Sequence, residues 1–203
     1  MSIRQLLNGK NLLITNLTVL LLLSACSSVP KTPKGIYNAC DILNTHKSWR
    51  QAFNRTYKTY GVPPHVVMAI IYQESRFVAG AKPPYEKILG IPVGRASDAY
   101  GYAQALKSTW NWYKKSTGHF SADRENLRDA VDFIGFYIDK NYKRNNVSKW
   151  DAKKQYLAYH EGIRGYSRKT YRKKPWLIRV SDKVGRHAST YRQQLKRCYQ
   201  FPR

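Results

Sequence analysis

Apolar residues recur at steps of three and four over most of this 203-residue chain, and step-two alternation is nearly absent, so the pattern predicts helices rather than sheets. Ile42, His46, Trp49, Phe53, Thr56 and Tyr60 form one stripe, which predicts a first helix ending at Gly61. Pro63 and Pro64 restart the chain, and Pro64 suits the first turn of a helix that runs through Val66 and Tyr72 to Glu74. Residues 78–100 contain Gly80, Pro83, Pro84, Gly90, Pro92 and Gly94, and predict a long irregular loop of a kind that is usually functional or mobile. Another helix is expected from about Leu106 to Lys115. Leu127, Val131, Ile134 and Ile138 mark a long amphipathic helix beginning near Asp123. Ser148, with Asp151 three residues on, reads as a capping box for a helix through Tyr159. Pro175 opens the last helix, whose stripe runs Leu177, Val180, Val184, Ala188, Tyr191, Leu195 and Cys198. The expectation is an all-α single domain.

One apolar run stands apart from these stripes. Leucines from Leu12 onward lead into Val19-Leu20-Leu21-Leu22-Leu23, behind Arg4 and Lys10, and the run closes with Leu23-Ser24-Ala25-Cys26. A basic start, a short apolar middle and small residues before a cut make a secretory signal. Thr15, Asn16 and Thr18 interrupt the run, which argues against a permanent spanning helix. Its last four residues resemble a bacterial lipobox, which implies that Cys26 becomes the lipidated first residue; Ser27 in place of Asp then implies sorting to an outer membrane. The alternative is an ordinary signal cleaved nearby, leaving Cys26 a plain thiol. The expected organisation is a signal over 1–25, a flexible tether over 26–36 and one domain over 37–203, large enough for a real core. Export also means an oxidising compartment, so Cys40 and Cys198, near the two ends of the domain, are expected to form a disulfide.

Charge narrows the partners. With 36 Lys and Arg against 12 Asp and Glu the chain carries +24, or +22 without Arg4 and Lys10. The excess crowds the second half, at Lys114-Lys115, Lys153-Lys154, Arg168-Lys169, Arg172-Lys173-Lys174 and Lys196-Arg197. Such a field draws polyanions and weakens with salt. In a cytosolic protein nucleic acid would lead. For an exported chain the available anions are lipid headgroups, lipopolysaccharide phosphates and the carboxylates of wall peptides, and nucleic acid drops behind them. A solvated basic face without a specific ligand is the plainer alternative.

Glu74 is the residue with chemistry in its position. At helical spacing it continues the apolar face of Val67, Ile70 and Ile71. A carboxylate there is disfavoured when charged, so its pKa should rise toward neutrality, as a general acid requires. No other acidic residue lies within ten positions of it. If the helix simply ended there, Glu74 would point into water and carry no such shift.

Three segments join it: Gln73-Glu74-Ser75-Arg76-Phe77, Tyr100-Gly101-Tyr102-Ala103-Gln104 with Thr109 downstream, and Leu157-Ala158-Tyr159-His160-Glu161-Gly162. In this order and spacing they resemble the soluble lytic transglycosylase family, over most of residues 60–165. The resemblance implies a lysozyme-like helical fold. It also implies cleavage, without water, of the β-1,4 bond between N-acetylmuramic acid and N-acetylglucosamine in peptidoglycan, giving 1,6-anhydromuramyl ends. Glu74 matches the family's single acid/base, an exception to the two-carboxylate rule of glycosidases. Ser75, Gly101, Gln104 and Tyr159 match substrate-side positions, Tyr102 and His160 are substrate-side candidates at positions where the residue differs, and Phe77 matches a packing aromatic. Ser75 has a plain alternative as a backbone-bonded serine at a helix end. Tyr102 and Ala103 depart from the family's Leu-Met, and His160-Glu161 from its Asn-Ala.

Two further readings stay open on residues alone. If Glu161 faced Glu74 across the scissile bond, the domain would be a hydrolytic muramidase. A non-catalytic, wall-binding lipoprotein with a basic surface is the other. Trp110, Trp112 and Tyr113 are either a sugar-stacking wall or core. The five histidines show no metal-ligand spacing, and no nucleotide or phosphate-loop motif occurs, so no metal and no cofactor is expected.

Overall fold

The computed structural model describes residues 35–202. The expected signal, the lipidation site Cys26 and most of the tether therefore lie outside the described residues.

The first predicted helix is two: α1 (Ala39–Thr45) and α2 (Lys47–Tyr60), separated by His46 in an extended conformation. One extended residue does not disturb a stripe spaced by threes and fours, so periodicity alone could not reveal the break. Asn38 caps α1 by accepting from the Cys40 amide, and Gly61 closes α2 in the left-handed conformation. α3 (Pro64–Ser75) starts on Pro64 as expected and is apolar on all sides, with every residue from Val66 to Ile71 wholly buried. A helix that is apolar all round belongs in the centre of a domain.

The segment expected as an irregular loop contains a small antiparallel hairpin, β1 (Tyr85–Ile88) and β2 (Ile91–Arg95). Leu89 and Gly90 both have positive φ, the backbone a two-residue hairpin turn needs. The strands are short, Pro92 sits inside one, and a bulge follows Glu86, so no clean alternation reached the sequence level. The hairpin leaves Tyr85, Ile88, Leu89, Ile91 and Val93 exposed.

α4 (Lys107–Thr117) falls close to expectation. α5 (Leu127–Asn145) begins four residues after Asp123, because Asn126 supplies the cap and Asp123 instead accepts from the Glu125 amide in the preceding turn. α6 (Ala152–Glu161) is capped by Asp151, which accepts from the Lys154 amide; the Ser148 hydroxyl bonds only the amide of Trp150, so the expected capping box is not formed. A short α7 (Ile163–Ser167) and a 3-10 turn (Thr170–Lys173) follow, too short to carry a periodic signal. α8 (Pro175–Leu195) ends before Cys198, which sits in the turn beyond it rather than on the helical stripe.

α2 lies along α5, and α8 lies along both α3 and α6. Gly135 permits the first contact: a Cβ there would come within 2.4 Å of Thr56 Cγ2. The buried amides Asn141 and Gln155 bond each other at 2.8 Å, and Gln155 also donates to the Val147 carbonyl, which fixes α6 against α5. Among the described residues the fold is thus helical, as predicted, apart from the hairpin.

Cys40 and Cys198, 158 positions apart in sequence, form the expected disulfide, with Cα atoms 5.9 Å apart. Arg50 reinforces the junction, donating to the Cys198 carbonyl and to Asn44. Closing so long a loop removes much unfolded-state entropy. Replacing both cysteines by serine should lower unfolding free energy by about 4–5 kcal/mol in chemical denaturation. An unchanged midpoint would mean that the termini are held by packing alone.

Candidate functional site

Glu74 occupies the second-last position of α3, beyond the wholly buried run. Its side chain is partly accessible yet densely surrounded by protein. Burial pushes its carboxyl from an ordinary 4.5 up to about 7, and the only opposing influence is a hydrogen bond from Tyr156. Two features of the helix end favour the protonated form. The C-terminal end of a helix presents partial negative charge, which disfavours a carboxylate. The nearest cation in sequence, Arg76, is turned away: its guanidinium lies 4.4 Å from the centre of the Tyr72 ring and donates to the Tyr72 hydroxyl. Arg76 and Phe77 both adopt positive φ, which turns the chain sharply and drops Phe77 into the core, as its packing assignment requires.

The second segment is a tight, bonded turn. The Gly101 amide donates to the Ala81 carbonyl and the Tyr102 amide to the Arg124 carbonyl. Gly101 has φ +78, and a Cβ on it would lie 2.2 Å from the Arg124 carbonyl oxygen, so only glycine fits. Gln104, also at positive φ, uses its Nε2 on the carbonyls of Ala81 and Gly101 at 2.8 and 2.9 Å. Both partners are acceptors, which orients the amide and leaves Oε1 as the atom available to a ligand.

α6 supplies two phenols, Tyr156 just ahead of the third segment and Tyr159 within it. Tyr156 donates to Glu74. Tyr159 donates to the Ala103 carbonyl at 2.6 Å and so ties the second segment to α6. Burial first, then the Glu74 charge, pushes the Tyr159 phenol well above its ordinary value, so both phenols stay neutral donors.

Several sequence-predicted residues are placed differently. Tyr102 is fully buried, edge-on to Trp49, with its hydroxyl unpartnered among the described residues; it supports the turn from beneath and offers no surface to substrate. Ser75 is buried and donates to the Ile71 carbonyl, the backbone-capping alternative. His160 is exposed, with its ring 5.1 Å from that of Trp176 and its Nδ1 3.2 Å from Glu161. Trp110 and Tyr113 are core, and only Trp112 of that trio is substantially exposed. The Glu161 carboxylate is held by Lys174 at 2.7 Å and by Thr170, with 3% of the side chain exposed. Although burial acts to raise its pKa, these donors hold it below the usual range, so it is a committed structural anion.

Sequence reasoning missed Tyr156. The signal was present: Tyr156 and Tyr159, three residues apart on a helix, share a face. The family model described as a transglycosylase SLT domain matches residues 14–198. A search of curated proteins finds no match.

Because the Tyr156 hydrogen bond favours the charged form of Glu74, Tyr156→Phe should raise the pKa of Glu74. The alkaline limb of any Glu74-dependent activity, or the carboxyl resonance followed by NMR, should move to higher pH. Movement to lower pH, or none, would separate the two residues.

Proposed function

A chain matched over residues 14–198 belongs to the transglycosylase SLT domain family, and from that premise we propose that it cleaves the β-1,4 bond between N-acetylmuramic acid and N-acetylglucosamine without water, leaving 1,6-anhydromuramyl ends. Membership carries a lysozyme-like helical fold and a lytic-transglycosylase-type action on peptidoglycan. The single observation that supports the finer reading is Glu74, a lone carboxyl poised near neutrality with no other acid among the groups that shift it.

In the proposed reaction Glu74, protonated, gives its proton to the bridging oxygen as the glycosidic bond breaks. The resulting carboxylate is stabilised by the Tyr156 hydroxyl. It then takes the proton from the muramyl C6 hydroxyl as O6 bonds to C1. The proton count closes on one residue, and a pKa near 7 suits a group that must both give and accept. The usual hydrolytic routes need a second carboxylate, either as base for water or as nucleophile. Glu161 is the residue that could have served, and its bonds to Lys174 and Thr170 argue against that use. Gln104, through Oε1, and the turn carrying Gly101 are the proposed substrate-side groups, with Tyr159 holding that turn in place.

The proposed organisation is a signal over 1–25, a tether over 26–36 and the catalytic domain over 37–203, anchored through a lipid on Cys26 to the periplasmic side of the outer membrane. Among the described residues no helix is long and apolar enough to cross a membrane.

Glu74→Gln should reduce cleavage of purified sacculi by about 10²–10⁴-fold. Mass spectrometry of wild-type products should find anhydro ends, one water lighter than reducing ends; reducing ends would make the enzyme a hydrolase. With an acid of pKa about 7, kcat/KM should fall as pH rises through neutrality. Stability should move as well. The folded state holds the Glu74 proton over a window, about 4.5 to 7, in which the unfolded chain has released it. Stability from this group therefore falls as pH rises across that window. At pH 8 Glu74→Gln should stabilise the fold by about 1–3 kcal/mol, and at pH 4 it should be neutral.

A further inference from the structure

A second feature lies on the far side of Tyr159 from Glu74. Tyr159 meets Tyr137 edge-on at 5.2 Å, and Tyr137 meets Trp112 edge-on at 6.2 Å. These last two rings form one wall of a cleft of about 590 Å³, between α5, the first half of α4 and the α6–α7 junction. Lys140 and Arg144 continue the Tyr137 face of α5 at steps of three and four. Arg164 and Arg168, four residues apart, enter from α7 and its C-terminal end. Among the described residues none of these four cations has a carboxylate partner. The one acid lining the cleft, Glu161, is already neutralised by Lys174 from outside it. The cleft is therefore strongly cationic, with an aromatic wall whose Tyr137 ring packs edge-on against Tyr159.

We propose that this cleft, with Arg164 and Arg168 as its principal anion contacts, holds the carboxylates of the peptide stem on the same glycan strand that Glu74 cleaves. The proposal rests on the function argued above. Guanidinium groups pair with carboxylates in a planar, two-bonded fashion, and three of the four cations here are arginines. The Trp112 and Tyr137 faces suit the apolar parts of a short peptide. What favours a stem over a free polyanion is the pairing of guanidinium groups with an aromatic wall, since a stem peptide carries both carboxylates and apolar side chains. The consequence is selectivity: strands with free stem carboxylates are preferred over strands whose stems are amidated.

The test is binding, in a Glu74→Gln background so that turnover plays no part, with two synthetic muropeptides that differ only in stem carboxylates versus carboxamides. Calorimetric titration should show about a tenfold preference for the carboxylate form, and Arg164→Gln/Arg168→Gln should shrink that ratio toward one. Lys196→Gln/Arg197→Gln, an equal charge change elsewhere on the surface, should keep it. If the Arg164/Arg168 pair melts early, Arg144→Gln alone should reduce the ratio. Equal binding of the two muropeptides, or a ratio unmoved by either cleft variant, overturns the proposal. So does an affinity for anionic lipid vesicles that the cleft variants abolish without any muropeptide preference, which would make the cleft a lipid-headgroup site. Wild-type protein that cleaves no glycan would sink the proposed function separately, and the muropeptide ratio would still decide this site.

Discussion

A carboxyl kept from full hydration is the constraint on which this structure turns. Glu74 follows six consecutive wholly buried residues of α3, and that central helix exists because α8 and the rest of the core surround it. Placing an acid at the end of such a helix is unfavourable when it is charged, and the fold answers by raising its pKa rather than by supplying a cation. The cost falls on stability and the benefit on chemistry, a pattern common at catalytic groups. If Arg76 were aimed at Glu74 instead of at Tyr72, the same backbone would give an ordinary ionised surface pair.

The remaining contacts hold other groups in relation to that acid. Tyr156 and Tyr159 share one face of α6, one phenol bonding the acid and the other bonding the backbone of the Gly101–Gln104 turn. α6 is in turn held to α5 by the buried Asn141–Gln155 pair, so the register of one polar contact in the core reaches the spacing of the site. Gly101 contributes by absence, since any side chain would force the turn away from Arg124. Several residues that look like substrate contacts in a motif are better understood as the frame: Ser75 closes its own helix, and Tyr102 fills space under the turn.

The helices were legible because burial imposes a period of three and four on the sequence, and α3, α5 and α8 carry that period over many residues. Glu74 was legible for the same reason, as a polar residue continuing an apolar stripe. The disulfide followed from compartment and position. What escaped was whatever one residue or a short span decides. His46 breaks a helix without breaking its stripe, the 85–95 hairpin is too short and proline-marked to alternate, and Asp151 caps α6 where Ser148 seemed placed to. Which motif residues are buried was hidden as well. Motif identity does not say which way Tyr102 points or that Tyr156, outside the matched residues, reaches the acid.

The net charge of +24 sharpens this arrangement. A positive field favours ionised carboxylates, so on global charge alone Glu74 should be more acidic than usual, not less. That field acts through solvent and is screened over about 8–10 Å, whereas desolvation acts on the carboxyl itself and is not screened at all. The local effect can therefore prevail only if no cation closes the distance, and the structure meets that condition: Arg76, two residues on, is committed to Tyr72, and no cation is among the groups that shift Glu74. The cations of the cleft beyond Tyr137 are likewise absent from the groups that shift Glu74. A basic exterior and a proton-holding carboxyl are thus compatible because the first acts at long range through screening solvent, and desolvation acts at contact range on the carboxyl itself.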